Sequence, residues 1–586
     1  MQCKLVNENF HSDYVNNLLK SRGILDTVEF YNPSINDIQE PEGLDNVEEG
    51  FQLYTKVVKA KGKMLVVVDS DNDGYTSGAC IFDYTKDLDP EADIDYTLHE
   101  HKQHGLEDHI DDIMNSDTHY DLIIIPDASS NDYEYHEELK KIHTPVLVLD
   151  HHLADGPFSD NAVIVNNQLS KNYKNKELVG AGVTFQFCRY CDKKLGTHYA
   201  DKYIDLAAWG IIGDMGGMNE LENRSFVYNG FNHIHSPLLK AFMEKQGYSI
   251  TGKVAPSWEE LTAAMNPTAV AFYITPLVNA MIRIGSMPEK KRLFEAFIDG
   301  DKMIPSGKRG AKGTLDKAGT EAARECGNAR SRQNKILDNA IGSIEAKIYK
   351  YDLLENRILF VRLDSEDDFP AELNGLVAMK LAAKYKRPTI VARLNKENYD
   401  RGSMRGLNQS ALTSFRDFLN DSHLFEYVEG HDNAAGISIP NDKLAEFHEY
   451  ANFALKNIDF GEDVYEVNFE RIAADSDLKN LIREIGSEKN IWGQNNPIPY
   501  IHVTDINIIR DDITVMGKNK DTVKFEKFGI SYLKFHAKEL IEQLEKYSEM
   551  KVEVVGKANL NEWNGMVTPQ IFIEGIEVKE DDICGF

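Results

Sequence analysis

Four short apolar runs, each followed by an acid, organise the first third of the chain. Met64-Leu65-Val66-Val67-Val68 precedes Asp69-Ser70-Asp71-Asn72-Asp73-Gly74, and Leu122-Ile123-Ile124-Ile125-Pro126 precedes Asp127. Pro145-Val146-Leu147-Val148-Leu149 precedes Asp150-His151-His152, and Trp209-Gly210-Ile211-Ile212-Gly213 precedes Asp214. A short, continuous apolar run between polar residues reads as a strand buried on both faces. Helical stretches lie between these runs, so residues 63 to about 215 predict an α/β parallel sheet. The small residues of Gly180-Ala181-Gly182-Val183-Thr184-Phe185 predict a close approach of a helix to that sheet.

The pattern changes on either side of this block. Residues 1–60 read as a helical lead-in, with one helix ending at Gly23. Residues 216–310 are mainly helical. Thr314 to Tyr349 carries apolar residues on one stripe and polar residues elsewhere, which predicts one connecting helix between two domains. A second α/β block begins at Arg357-Ile358-Leu359-Phe360-Val361. It continues through a helix over Leu373–Lys384 and a strand at Thr389–Ala392, and closes on a glycine-rich turn at Gly430–Gly436. The last block, from about 460, has short strands, a charged helix over Ala537–Lys546 and a hairpin at Asn561–Gly565. About five strands and one helix suit a small β-barrel of the OB type. The chain is expected to divide into 1–312, 313–352 (the connecting helix), 353–457 and 458–586.

Ligands of an open parallel sheet bind at the carboxyl ends of its strands. Four strand ends bearing Asp and His would therefore converge on one crevice. An isolated Asp after a strand is as often a turn residue or helix N-cap. The set is harder to explain that way, because Asp69, Asp71 and Asp73 crowd negative charge that repels without a cation. Carboxylate and imidazole donors suit Mn²⁺ or Mg²⁺ better than a thiolate-seeking metal.

Composition narrows the setting. At 586 residues the chain has room for about three or four domains. No secretory apolar stretch follows Met1, and no continuous run reaches the 18 or so apolar residues of a membrane span. Six cysteines in so long a chain suit a reducing cytoplasm. Cys188-Arg189-Tyr190-Cys191 has C-x-x-C spacing but no second ligand pair, so it reads as helix core. With 65 basic and 95 acidic residues, the net charge of −30 argues against coating nucleic acid by bulk electrostatics. Basic residues do gather locally, at Lys308, Arg309, Lys312 and Lys317, at Arg401 and Arg405, and at Lys518, Lys520, Lys524 and Lys527. The acidic run Asp364–Asp368 reads as a solvated loop.

Together these motifs resemble the DHH phosphoesterase superfamily, and within it the RecJ-type exonucleases specific for single-stranded DNA. Asp69–Gly74, Asp127, Asp150-His151-His152 and Asp214 resemble its four signature motifs. Arg22-Gly23-Ile24, Gly180–Val183 and Pro276–Gly285 resemble further stretches of the family. Arg401-Gly402-Ser403-Met404-Arg405 and Gly430-His431 with Ala434-Ala435-Gly436 resemble its DHHA1 domain, and Asn561–Gly565 with Gln570 its OB domain. The resemblance implies an α/β multidomain protein: a parallel-sheet DHH core, a long connecting helix, an α/β DHHA1 domain and a C-terminal OB-like barrel. It implies two divalent cations, Mn²⁺ first and Mg²⁺ as the alternative, held by Asp71, Asp73, Asp127, His151 and Asp214, with Asp127 shared and Asp69 as ligand or support. His152 would face the scissile phosphate and Asp150 would orient the histidines. Asn279, Arg283, Arg401, Ser403, Arg405, Gly430, His431 and Trp563 would meet the nucleic acid, Trp563 and Phe525 by stacking, although filling barrel core is the commoner role of such aromatics. The implied activity is 5′-to-3′ hydrolysis of single-stranded DNA to mononucleotides in DNA repair or recombination. The setting would be cytoplasmic and the protein a monomer, away from membranes, with a single-strand-binding protein or helicase as partner. Two other readings stand beside it: a phosphodiesterase of short oligonucleotides or cyclic dinucleotides, and a non-catalytic scaffold. Three positions depart from the family pattern. Val67 stands where some members have His, which predicts one cation with fewer protein ligands. Ser129 and Glu429 each stand in place of Gly.

Overall fold

The computed structural model describes every residue except Lys312, Ser365, Glu366, Lys518, Glu545, Tyr547, Asn564, Gly565 and 580–586, and gives the backbone alone of Trp563. The chain forms two compact units. One comprises 28–334 with 490–496; the other comprises 1–27, 335–489 and 497–586.

The first unit is built on five parallel strands: β1 (Met64–Val68), β2 (Ile94–Leu98), β3 (Leu122–Pro126), β4 (Val146–Asp150) and β5 (Ala162–Asn166). Their order across the sheet is β2-β1-β3-β4-β5. All five residues of β1, β3 and β4 are buried, which is why these strands read as unbroken apolar runs. Alternation still sorts them. Val66, Val68, Ile124, Leu147 and Leu149 enter one core, which also receives Ala79, Val183 and Phe187. Leu65, Val67, Ile123, Ile125, Val146 and Val148 enter a second core on the opposite face, with Ile110 and Leu139. The strand order reverses between β1 and β3, and the crevice at such a switch point is where doubly wound sheets bind ligands.

Helices α1 (Asn72–Leu88), α2 (Gly180–Leu195) and α3 (Ile204–Gly213) pack together on the first core. The run Trp209–Gly213, expected as a fourth strand, is instead the end of α3. Nine of the ten α3 residues are buried, and a helix apolar on all sides shows no period within a five-residue window. Trp209 stacks on Phe297, with ring centroids 5.1 Å apart. Cys188 and Cys191 are buried in α2, and no His, Cys, Asp or Glu group of metal-ligand spacing includes them among the described residues. Beyond α3 the unit is mainly helical, including α4 (Thr275–Ile284). The stretch Pro267–Ile284 is long and apolar enough on average to cross a membrane by length and composition, though Thr268, Thr275, Asn279 and Arg283 interrupt it, and 56% of it is buried within the protein.

The expected connecting helix is α5, Ala318–Lys350, 33 residues long. It starts later than Thr314, because Leu315–Lys317 forms a short strand against Met303–Pro305. Through Asn334 it belongs to the first unit, and from Lys335 to the second.

In the second unit the lead-in reading needs correction. Gln2–Leu5 is a strand paired in parallel with Val464–Val467, and only then comes the helix Tyr14–Ser21, stopped by Gly23 at φ 85°. The α/β block holds β6 (Leu359–Leu363), β7 (Thr389–Leu394), β8 (Tyr399–Arg405), β9 (Tyr427–His431) and β10 (Ala434–Pro440), ordered β9-β10-β8-β7-β6. The run Gly430–Gly436 is therefore a β-hairpin, with only Asp432 and Asn433 between its strands. The C-terminal block is one sheet of seven strands between Phe469 and Lys579, two more than expected, with helices Leu478–Ser487 and Lys538–Leu544. Phe525 is core there. It is 1% exposed and stacks on Tyr532 at 5.0 Å.

Candidate metal centre

The first unit brings Asp69, Asp71, Asp73, Asp127, Asp150, His151, His152 and Asp214 to the carboxyl ends of β1, β3 and β4 and the end of α3. Asp71 is the N-cap of α1, accepting from the Gly74 amide at 3.0 Å, so the capping reading is also true of it. Asp73, two residues on and still in the first turn of α1, turns both oxygens to the start of α2. Gly180 N–H donates to Oδ2 at 2.7 Å and Ala181 N–H to Oδ1 at 3.0 Å. The amides and dipole of a helix N-terminus favour a carboxylate there. Burial and neighbouring Asp71 outweigh those bonds, pushing Asp73 up to about 7.

Asp127 follows β3 in a left-handed conformation, φ 71°, with its amide on the Leu149 carbonyl. Burial, then Asp73, Asp71, Asp69 and Asp214, push its carboxyl well above the ordinary range. Ser129 also has positive φ, 86°, a conformation that favours Gly. It bonds instead to Asp132 through its side chain.

Asp150 is fully buried and acts as a hub. Its Oδ1 accepts from the amides of His151 and His152 at 2.7 and 3.2 Å and lies 2.8 Å from His152 Nδ1. Its Oδ2 accepts from the Ser130 amide at 3.0 Å. Burial alone would raise this carboxyl; the bond and charge of His152 reverse that and hold it below the usual range. Burial would lower His152, yet Asp150 raises it to about 10. Burial lowers His151 to about 4, leaving a neutral imidazole whose Nε2 is 3.2 Å from Asp127 and 3.5 Å from Asp214. Asp214 caps the C-terminus of α3, where a carboxylate opposes the helix dipole. Burial and the Asp71 and Asp73 charges raise it well above its ordinary value.

Three trios have ligand atoms mutually within 4.8 Å: Asp69-Asp71-Asp127, Asp73-His151-Asp214 and Asp127-His151-His152. Asp127 and His151 each belong to two. Asp69 Oδ1 and Asp127 Oδ1 are buried with no hydrogen-bond donor. Crowded acids with unpartnered oxygens and a neutral imidazole fit oxygen-preferring divalent cations.

Three contributors have no place in the sequence reading: His104, Asn166 and Arg330. His104 Nδ1 lies 2.7 Å from Asp69 Oδ2, a bond that raises the imidazole. Asn166 ends β5 beside Asp150 and donates to the Ser130 hydroxyl and the His152 carbonyl, both at 2.9 Å. A polar residue ending the fifth apolar run was a usable signal. Arg283, on α4, feels the charges of both Asp71 and Arg330, and Arg330 on α5 had no signal in the sequence. Asn279 lies on the same helix as Arg283, half-buried. Gly180 makes the close approach expected of the small residues that open α2. A Cβ there would fall 2.3 Å from Asp127 Oδ1. Gly180→Ala is expected to weaken Mn²⁺ binding about 10- to 100-fold by displacing that carboxylate, as read by titration calorimetry. Unchanged binding would mean that Asp127 can move without consequence.

The second unit holds the other candidates. Register places Arg405, Ala434 and His431 in one cross-strand row, Ser403, Gly436 and Glu429 in the next, and Arg401, Ser438 and Tyr427 in a third. These rows share the face opposite buried Met404 and Asp400. Arg405 Nη1 donates to the Met404 carbonyl at 2.7 Å, and Arg401 lies 3.4 Å from Glu397. Gly430, φ 138°, gives its carbonyl to Arg416, which also pairs with Asp432 at 2.9 Å. Trp563 lies on a strand, its side chain outside the described residues. The basic clusters are largely neutralised. Lys308 pairs with Asp316, Lys317 with Asp301, Lys524 with Glu526 and Lys527 with Asp512. Lys312 and Lys518 lie outside the described residues. The acidic run is more than a solvated loop: Asp364 and Asp367 both grip Lys347.

Comparison with known proteins agrees with this geometry. Residues 63–211 match the DHH family N-terminal domain, and residues 473–575 the RecJ OB domain. The chain is 36% identical to the putative SPbeta prophage-derived single-strand DNA-specific exonuclease YorK of Bacillus subtilis (strain 168), covering 99% of this chain and 98% of that protein. Its fold is similar to the crystal structure of RecJ in complex with Mn²⁺ from Thermus thermophilus, with a TM-score of 0.71 at 17% identity, covering 99% of this chain and 80% of that one. The Mg²⁺ complex of the same protein gives 0.65, also at 17% identity, covering 99% and 79%. The chain belongs to the RecJ-type single-strand-DNA-specific exonuclease family, with its DHH core and its OB domain.

Proposed function

We propose that the chain is a divalent-cation-dependent exonuclease that hydrolyses single-stranded DNA from its 5′ end to mononucleotides, in DNA repair or recombination. The observation that carries this is the set of three ligand trios linked through Asp127 and His151. Asp69, Asp71, Asp73, Asp127, His151 and Asp214 would hold two cations, Mn²⁺ first and Mg²⁺ as the alternative. When bound, such a pair supplies an activated water and neutralises charge on the phosphate oxygens. His152, half exposed and kept protonated by Asp150, is suited to donate to a non-bridging oxygen as charge builds there. Arg283 brings a fixed positive charge that the Asp71 carboxylate feels. The outward row of Arg401, Ser403 and Arg405, with Gly430 and His431 across the sheet, suits a phosphate backbone. Buried, unpaired cysteines fit a cytoplasmic setting. The proposal takes the protein as a monomer, with a single-strand-binding protein or helicase delivering the strand.

The test uses long single strands labelled at either end, with Mn²⁺ or Mg²⁺ and with or without chelator. Metal-dependent release of labelled mononucleotide from the 5′ end is expected. Release from the 3′ end would overturn the polarity. Turnover confined to dinucleotides would transfer the reading to small-substrate phosphodiesterases, and binding without hydrolysis to a scaffold.

A further inference from the structure

We infer that His104 is a positioning residue for the Asp69 side of the centre, an inference that rests on the two-cation reading above. Asp69 is 1% exposed, and its two oxygens are unequal. Oδ2 is 2.7 Å from His104 Nδ1, whereas Oδ1 has no hydrogen-bond donor. A carboxylate free to turn about Cβ–Cγ presents either oxygen. One held at Oδ2 presents Oδ1 in a fixed plane to the cluster shared with Asp71 and Asp127.

His104 comes from none of the strand ends that supply the other side chains. It lies in the segment after β2, and that segment is fastened to the Asp69 loop a second time. Ser70 Oγ donates to the Gln103 carbonyl at 2.6 Å and accepts from the Gln103 amide at 3.1 Å. Next to it the chain turns at Gly105, φ 68°, and the Leu106 amide donates to Asp132 at 3.0 Å. The segment is thus tied to the loops after both β1 and β3. Val67, buried within β1, offers no polar group at this end of the centre. His104 supplies one from another loop. Ligating carboxylates are themselves oriented by hydrogen bonds, and losing such a partner typically weakens metal affinity about 10- to 100-fold.

The test is stepwise Mn²⁺ uptake by metal-stripped protein, followed by calorimetry and by loss of the free-Mn²⁺ paramagnetic resonance signal. Wild type is expected to take up two ions. His104→Ala should weaken one step about 10- to 100-fold and leave the other unchanged. His104→Asn, whose amide reaches the same carboxylate oxygen, should restore the weakened step. His104→Gln keeps size and polarity but carries its amide one bond farther out, so it should fall with His104→Ala; it also decides the matter should the alanine variant not fold. Two wild-type steps in His104→Ala or His104→Gln, or an asparagine variant as weak as alanine, would overturn the inference. Hydrolysis of single strands by wild type is scored separately. Wild type that takes up two Mn²⁺ without hydrolysing DNA refutes the nuclease reading and leaves the His104 comparison decisive on binding alone.

Discussion

Asp127→Asn is expected to lower turnover on single-stranded DNA about 10³-fold or more, a barrier increase of about 4 kcal/mol or more, with the fold retained. Asparagine keeps the shape of the side chain and the backbone bond to Leu149, but removes the charge that two ligand trios share. The same substitution should make the metal-free protein more stable at neutral pH. Asp127 is buried among Asp73, Asp71, Asp69 and Asp214, and these charges oppose its ionisation. A neutral amide relieves that repulsion, as is common where a site is strained for function. Two measurements on one variant check this: end-labelled DNA turnover with Mn²⁺, and thermal unfolding in chelator. Wild-type turnover would remove Asp127 from the shared position. A lower unfolding temperature in chelator would mean that the acid cluster is not a source of repulsion.

What could be read from the sequence follows from how local each signal is. β1, β3 and β4 were legible because burial on both faces leaves unbroken apolar runs, and their register aligned Asp69, Asp127 and Asp150 with no further information. Asp214 does join the cluster, but from a helix end rather than a strand end. Its apolar run is the buried end of α3, and a short window cannot separate helix from strand. His104 was illegible because its only signal is a contact between two loops 35 residues apart, without period or motif. Arg330 was illegible too, because it acts on Arg283 from α5, 47 residues further along the chain. The basic clusters misled in the other direction. Proximity in sequence suggested positive patches, whereas Asp316, Asp301 and Asp512 neutralise them in space. Phe525, for which barrel core is the commoner role, is core, packed on Tyr532.

The stabilisation that Mn²⁺ gives the protein is expected to be small at about pH 5 and large at about pH 8. Asp73, raised to about 7, and Asp127 and Asp214, raised above their ordinary values, keep protons in the metal-free fold that the unfolded chain has lost. Their contribution to metal-free stability is full below the ordinary carboxylate value; that of Asp73 is lost as pH rises through about 7, and those of Asp127 and Asp214 as pH rises through their own raised values. A cation must displace those protons, so it binds weakly while they are held and strongly once they leave. His151 sets the opposite edge. Lowered to about 4, it stays neutral and able to ligate throughout this range, so it does not blunt the rise. His152, raised to about 10, is charged at both pH values and contributes nothing to the difference. Each cation present at a hundred times its dissociation constant adds about 2.7 kcal/mol. Thermal unfolding at the two pH values, with Mn²⁺ and with chelator, should therefore separate by several degrees at the higher pH and converge at the lower. Asp127→Asn should flatten the separation at both. A gap that is constant with pH, or that widens toward acid, would place the stabilising cation away from this carboxylate cluster, because no site built on Asp73, Asp127 and Asp214 gains affinity as they take up protons.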